Sequence, residues 1–415
     1  MLSQPEFGRR LRELRMQQGR SRADLIGSGM SAAYLSRLES GARPPTQRAV
    51  AYLAERLGIT EDAFTQPPKG DLTDILATLT LSTAKYDSHM CTALTKALEE
   101  TPDADDNTRW QALAQLARMH LALGDFIAEH HVLTQLREIS DELSRPALQA
   151  HARIRLARCA RDLGELTTAR HEVRQALTLA ENHRLRVPAA DLQHGKLLLA
   201  SVEAELGDLA EATRLSKQAC TELEHPNGPL AAETYWTTAT VSTRRGDYHQ
   251  AAQLMEQALS AISSQEDLTM WLRLRLAAAS LALQTAPPKT TEAQNRLNQA
   301  RTALELIGSP RHHQEYNLLH IQLALYQGTT PNTHTLCEKT KKGQALLTYR
   351  DRIRLETLTH LVHARSGTPN ARHKACELAN EVQKNGMPDL AAELWRTIAL
   401  SDTPPRKQQP ATQHP

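Results

Sequence analysis

Four Gly–acid turns recur along the middle of the chain: Gly124-Asp125, Gly164-Glu165, Gly207-Asp208 and Gly246-Asp247, spaced 40, 43 and 39 residues apart. Each is followed by an apolar residue (Phe126, Leu166, Leu209, Tyr248). Seven residues before each glycine stands an alanine: Ala117, Ala157, Ala200 and Ala239. Five residues after three of the glycines comes Ala169, Ala212 or Ala251, and seven further on Ala176, Ala219 or Ala258. Small residues at fixed offsets let two helices approach closely, and Gly-Asp makes the turn between them. One such unit cannot bury its apolar face alone, so the units must stack. The pattern continues more weakly through Ala293 and Ala300, then around Gly328 and Gly367. The expectation is roughly seven helix pairs over residues 71–400. Ala and Leu dominate, aromatics are only 4% and β-rich runs are missing, so the fold class expected is all-α.

A small residue in the first helix, Gly-Asp-aromatic at the turn and two alanines in the second helix resemble the tetratricopeptide repeat. The resemblance is strongest over residues 147–262 and implies a right-handed α-solenoid. The period here is about 40 residues where that family has about 34, so the helices are expected to be longer by roughly a turn.

The first 66 residues read differently. Ser3-Gln4-Pro5-Glu6 is a helix start, Phe7, Leu11 and Leu14 share a face, and Gly19 stops the helix. Ser21-Arg22-Ala23-Asp24 opens a second, short helix closed by Gly27 and Gly29. Ser31 caps a third with Leu35 and Leu38 inward, stopped by Gly41. Thr46 caps a fourth with Val50, Leu53 and Leu57 inward. Short helices with a glycine turn between the second and third describe a helix-turn-helix domain. This segment holds ten Arg, no Lys and seven carboxylates, a net +3, whereas the remainder is near neutral with 39 basic and 40 acidic residues. A basic head on a neutral body suits a chain whose head alone touches an anionic polymer.

FGRRLRELR, GMSAAYLSRLESGARPPT and LAERLGI, in that order, resemble the lambda-repressor-like (XRE) family over residues 5–64. The resemblance implies that Ser31 to Glu39 is a recognition helix in the major groove of double-stranded DNA. It implies DNA contact by Ser31, Ala32, Ala33, Ser36 and Arg37, with Ala32, Ala33 and Arg37 facing base edges, Arg37 forking onto a guanine and Ala33 touching a thymine methyl. Arg22 and Arg43 would hold phosphates, and Arg15 would pair internally with Glu39. The turn LIGSGMS is a residue shorter than the family's, and Arg20 stands where an apolar residue is common.

In the repeats, HARIRLARCARDLG carries Arg153, Arg155, Arg158 and Arg161 beside His151. By the tetratricopeptide pattern His151, Arg158 and Asp162 point into a groove, with Arg118, His194, Trp236 and Thr240 in similar places nearby. A basic groove with one aromatic suits a carboxylate-bearing small molecule or acidic peptide. The combined architecture resembles the peptide-pheromone-sensing regulators of Gram-positive bacteria. That implies a bacterial homodimer on a palindromic operator whose DNA affinity responds to an effector.

The division expected is a DNA-binding domain (1–66), a linker (67–70), a sensing and dimerising repeat domain (71–400) and a disordered tail (401–415). No phosphate-binding loop, dinucleotide fingerprint or nucleophile elbow is present. His360 and His363 share a helix face but lack a third ligand. No catalytic residue, metal or cofactor is therefore expected. Five widely spaced cysteines, no apolar run of membrane-spanning length and an immediately charged N-terminus suit a cytoplasmic protein without membrane contact. The alternative function is a protein-interaction adaptor in which the repeats dock a partner and DNA binding is secondary.

Overall fold

The computed structural model describes residues 4, 6–64, 72–81, 86–182, 189–328 and 332–401. Ser3 and Pro5 of the expected first helix start, the linker 67–70 and tail residues 402–415 lie outside them. The regular structure among the described residues is helical, apart from an isolated antiparallel bridge between Gly27 and Met30. None of their helices is long and apolar enough to cross a membrane. The chain divides into two compact units, Met1–Lys85 with Thr92–Ala112, and Tyr86–Cys91 with Leu113–Pro415.

The first unit begins with α1 (Glu6–Gln17), α2 (Ala32–Glu39) and α3 (Gln47–Leu57). Phe7, Leu11, Leu25, Met30, Leu35, Leu38, Leu53 and Phe64 form one buried cluster. Two caps act as read from sequence: the Ser31 hydroxyl accepts from the Tyr34 N–H and Thr46 from Ala49, each at 3.2 Å. The expected second helix is a correction. Ala23–Leu25 is a single 3-10 turn. Ser21 and Asp24 do form a reciprocal box, at 2.6 and 3.3 Å, but it closes around that one turn. Gly8 explains how closely α1 and α2 pack: an added Cβ would lie 2.4 Å from the Leu38 carbonyl oxygen and 2.8 Å from that of Glu39. This seat needs glycine even though alanine favours helix.

The repeats comprise α6 (Asp106–Leu123) with α7 (Phe126–Glu142), α8 (Pro146–Leu163) with α9 (Leu166–Asn182), α10 (Ala189–Glu205) with α11 (Leu209–Thr221), and α12 (Pro229–Arg244) with α13 (Tyr248–Ser260). Then follow α14 (Leu268–Gln284) with α15 (Thr290–Ile307), α16 (Pro310–Gln327) with α17 (Thr333–Lys342), α18 (Tyr349–Arg365) with α19 (Ala371–Lys384), and a single α20 (Pro388–Leu400). Two further helices, α4 (Leu72–Leu81) and α5 (Ser88–Glu100), precede them.

The Gly–Asp signature has a two-part cause. Gly124, Gly164, Gly207 and Gly246 adopt left-handed backbone with φ between 77° and 92°. Asp125, Asp208 and Asp247 then cap the following helix, accepting from Ala128, Glu211 and Gln250 at 3.0–3.1 Å. All ten repeat alanines are buried. First helices of 16–18 residues account for the long period. The first helices α8, α10, α12, α14, α16 and α18 also touch one another in succession, so they form the inner wall of the coil.

Candidate nucleic-acid interface and inner wall

The third segment of the first unit, α2, has two unlike faces. Leu35, Leu38 and Glu39 are buried, whereas Ser31, Ala32, Ala33, Ser36 and Arg37 are exposed. The Ser31 hydroxyl is engaged as the cap. Past the helix end the Arg43 N–H donates to the Arg37 carbonyl at 3.2 Å, and the Arg43 guanidinium lies 4.9 Å from the centre of the Tyr34 ring. The Gln4 amide donates to the carbonyls of Leu38 and Arg43 at 3.1 and 2.7 Å, tying this loop to the start of α1. The loop is thus braced, with Arg43 exposed beside Tyr34.

Glu39 serves two arginines. Its carboxylate, 1% exposed, meets Arg15 at 2.7 Å and Arg22 at 2.6 Å. The Arg15 pair agrees with the sequence reading. The second pair was not foreseen, because the resemblance gives Arg22 to a phosphate and only Arg15 to Glu39. Arg22 remains 55% exposed, so its pairing orients the guanidinium without covering it. The short turn also has a specific seat. Gly27 and Met30 exchange two backbone hydrogen bonds of 3.0 Å. A Cβ on Gly27 would come within 2.4 Å of the Tyr52 hydroxyl, and one on Gly29 within 2.9 Å of the Tyr52 ring. These glycines sit against Tyr52 of α3 and do not end a helix.

In the repeat unit the sequence-named residues lie on neighbouring first helices, but most are already partnered. Arg158 meets Glu129 at 2.5 Å. Asp162 meets Arg311 of α16 at 3.4 Å, across 149 residues of sequence. His194 meets Glu233 at 2.9 Å, and the Thr240 hydroxyl donates to the Trp236 carbonyl at 3.0 Å. Arg118 donates to Gln115 at 2.6 Å and is exposed. Arg153 and Arg161 turn to carboxylates: Arg153 to Asp141 and Glu172, Arg161 to Glu205. The wall is therefore a mixed-charge surface, not the basic groove expected.

The electrostatics follow from burial and neighbours. The hydrogen bond that the His194 ring donates to Glu233 favours the charged form and raises its pKa, outweighing burial. Burial and the nearby Arg155 lower that of His151. Burial, with Arg158 beside it, brings Arg155 down to about 10. Burial likewise pushes His312 down to about 4, helped by Arg273 and Arg311.

Arg273 was missed from sequence. It is exposed on α14, lies 5.3 Å from the centre of the Trp236 ring, and bonds no carboxylate among the described residues. Extending the repeat register into α14 would have found it. The register is obscured there because Thr285-Ala286-Pro287-Pro288 replaces the Gly–Asp turn.

Residues 6–65 match the family described as helix-turn-helix domain. No curated protein matches the chain. Among solved structures, a Rap protein complexed with competence and sporulation factor is 12% identical, covers 95% of this chain and 97% of its own, and gives a TM-score of 0.55. The Rap conjugation gene regulator of the plasmid pLS20, in complex with the Phr* peptide, is 14% identical over 82% of this chain and 95% of its own, with a TM-score of 0.50. PlcR of Bacillus thuringiensis, in complex with the peptide PapR7 and DNA, is 15% identical over 76% and 98%, with a TM-score of 0.38. At these identities the likeness is one of fold. The protein is all-α, with an N-terminal helix-turn-helix domain and a tetratricopeptide-like α-solenoid.

Proposed function

We propose that the protein is a sequence-specific DNA-binding transcriptional regulator whose repeat unit binds a signal. The observation that carries this reading is the helix-turn-helix domain itself, with Ala32, Ala33, Ser36 and Arg37 exposed on one face of α2. In this reading Arg37 forks onto a guanine, and Arg22 and Arg43 hold phosphates on either side. Residues 1–66 act as the reading head and 71–400 as the sensor. Gel shifts against the promoter of the protein's own gene, at several salt concentrations, test the reading. Arg37→Ala should cost about 1–3 kcal/mol on the preferred duplex and relax its sequence preference. Arg43→Ala should weaken all duplexes alike and flatten the salt dependence. Absence of binding to any promoter fragment would favour the adaptor.

The signal we propose is an extended peptide or small carboxylate-bearing molecule on the inner wall. Two solved structures of similar fold were captured with partners, one with competence and sporulation factor and one with the Phr* peptide. On this chain Arg118 and Arg273, which pair with no carboxylate among the described residues, and the Trp236 ring are the groups available to it. His151, Arg158, Asp162, His194 and Thr240 would border the ligand. A signal changes DNA affinity only if it binds one conformational state better than another.

A single small reading head buries little DNA surface, so the working form we propose is a homodimer on a palindromic operator. Light scattering should give twice the chain mass at micromolar concentration. A strict monomer there would contradict it.

A further inference from the structure

The repeats meet not only their neighbours in sequence but also the next turn of the coil. The start of α18 lies on the end of α8 and the start of α20 on the end of α10. Glycine turns make room for these approaches. A Cβ on Gly164 would lie 2.7 Å from the Tyr349 ring, and one on Gly207 3.0 Å from the Pro388 ring. Along this line runs a chain of enclosed charges. Arg161 and Arg244 reach Glu205 at 2.6 and 3.5 Å. Arg244 of α12 also reaches Asp389 of α20 at 3.2 Å, and Arg350 holds Asp389 at 2.7 Å. Beside it, Arg311 of α16 crosses to Asp162 of α8.

Two observations separate this seam from the ordinary repeat junctions. Adjacent repeats share apolar cores, but the cluster of α16–α20, from Leu318 to Ile398, includes no residue of α6–α13. The cluster from Ala157 to Leu215 likewise includes none of α16–α20. In addition, Asp389 Oδ2, Arg244 Nε and Arg350 Nε are enclosed yet make no hydrogen bond. Buried ion pairs with imperfect hydrogen bonding roughly balance attraction against desolvation, so they close a joint without locking it.

We propose that this charged seam is a releasable clasp, at which the coil opens into two arms with intact cores and closes again turn upon turn. Opening would admit an extended ligand to the inner wall; that use, but not the opening itself, rests on the sensing role proposed above. The test needs no ligand. In the full-length chain, Glu205→Gln combined with Asp389→Asn leaves Arg161, Arg244 and Arg350 facing one another with their central anions removed. The expected result is a larger radius of gyration by small-angle scattering with helical content unchanged. Amide exchange should quicken about tenfold or more at residues 161–166 and 349–354, and stay as before within α13.

A cysteine pair, Gly124→Cys with Leu346→Cys, supplies the control: a Cβ at 124 would lie 3.8 Å from that of Leu346, which is disulfide spacing. The strain of a cysteine at left-handed Gly124 is common to the reduced and oxidised forms being compared. Oxidation of the pair should return the double variant to the compact radius and slow exchange, relative to its own reduced form. An unchanged radius and unchanged exchange in the double variant would overturn the clasp. So would collapse of the whole repeat unit that the disulfide does not rescue.

Discussion

Glu39→Gln is expected to destabilise the helix-turn-helix domain by about 3–5 kcal/mol, the usual cost of leaving a buried charge without its partner. Glu39 is 1% exposed and its two oxygens are divided between Arg15 and Arg22. Glutamine keeps the shape but loses the charge, so Arg15, only 12% exposed, would stay enclosed beside a neutral amide. The loss rivals the whole stability of a small domain, which is commonly about 5 kcal/mol. Arg22 would lose its orienting contact, so the variant should lose DNA binding even under conditions where it folds. Melting followed by a probe in the first unit should fall by tens of degrees, while the repeat unit, which has its own cores, melts as before. A melting curve like that of the parent would mean that the pair is solvated and contributes little.

Acid should weaken the repeat unit in two stages. Burial holds folded His312 down at about 4, against an ordinary value of 6.5. A histidine kept neutral by the fold contributes stability that is present above pH 6.5 and is lost as pH falls from there toward 4. Glu205 and Glu393 follow. Burial opposes their charge, but Arg161, Arg244 and Arg350 around Glu205, and Arg354 and Arg350 around Glu393, hold both at about 2. A carboxylate with a depressed folded pKa contributes stability above its unfolded value near 4.5, and this is lost as pH falls from there toward 2. Each group contributes on the order of 3 kcal/mol. Glu129 and Glu315 act in the opposite sense: burial raises their folded pKa above 4.5, so they add stability as pH falls toward 4.5 and soften the upper stage. Thermal unfolding followed from pH 8 to 3 should show a level midpoint, a first decline below about 6.5 and a steeper one below about 4.5. His312→Gln should shrink the first decline without removing it, since burial also lowers the pKa of His120, His151, His320 and His360. A midpoint level down to pH 4 in the parent would contradict the assignment.

Much of the framework was legible because local rules decide it. Ser31 and Thr46 lie three residues before the N–H groups they cap, and the Gly–Asp turns combine left-handed backbone with an aspartate cap. Those signals sit within a few residues and survive in any sequence reading. The second helix was over-read for the same reason: Ser21 and Asp24 do form a box, but the apolar run behind them is too short to continue it. What escaped depends on distance along the chain. Arg22 and Arg37 look alike in sequence, yet only Arg22 lies within reach of Glu39. The repeat register gives Arg158, Asp162 and His194 to a ligand, while their partners Glu129, Arg311 and Glu233 stand 29 to 149 residues away. The seam was invisible for the same reason, since nothing local ties Arg244 to Asp389.

Selection of bound duplexes from a random DNA pool by the full-length chain at physiological salt tests the central claim most directly. The account predicts enrichment of a two-fold symmetric motif with a guanine in each half-site, binding that weakens steeply with salt, and loss of the preference for that guanine in Arg37→Ala. A pool that emerges unenriched, or a motif unchanged by Arg37→Ala, would contradict it.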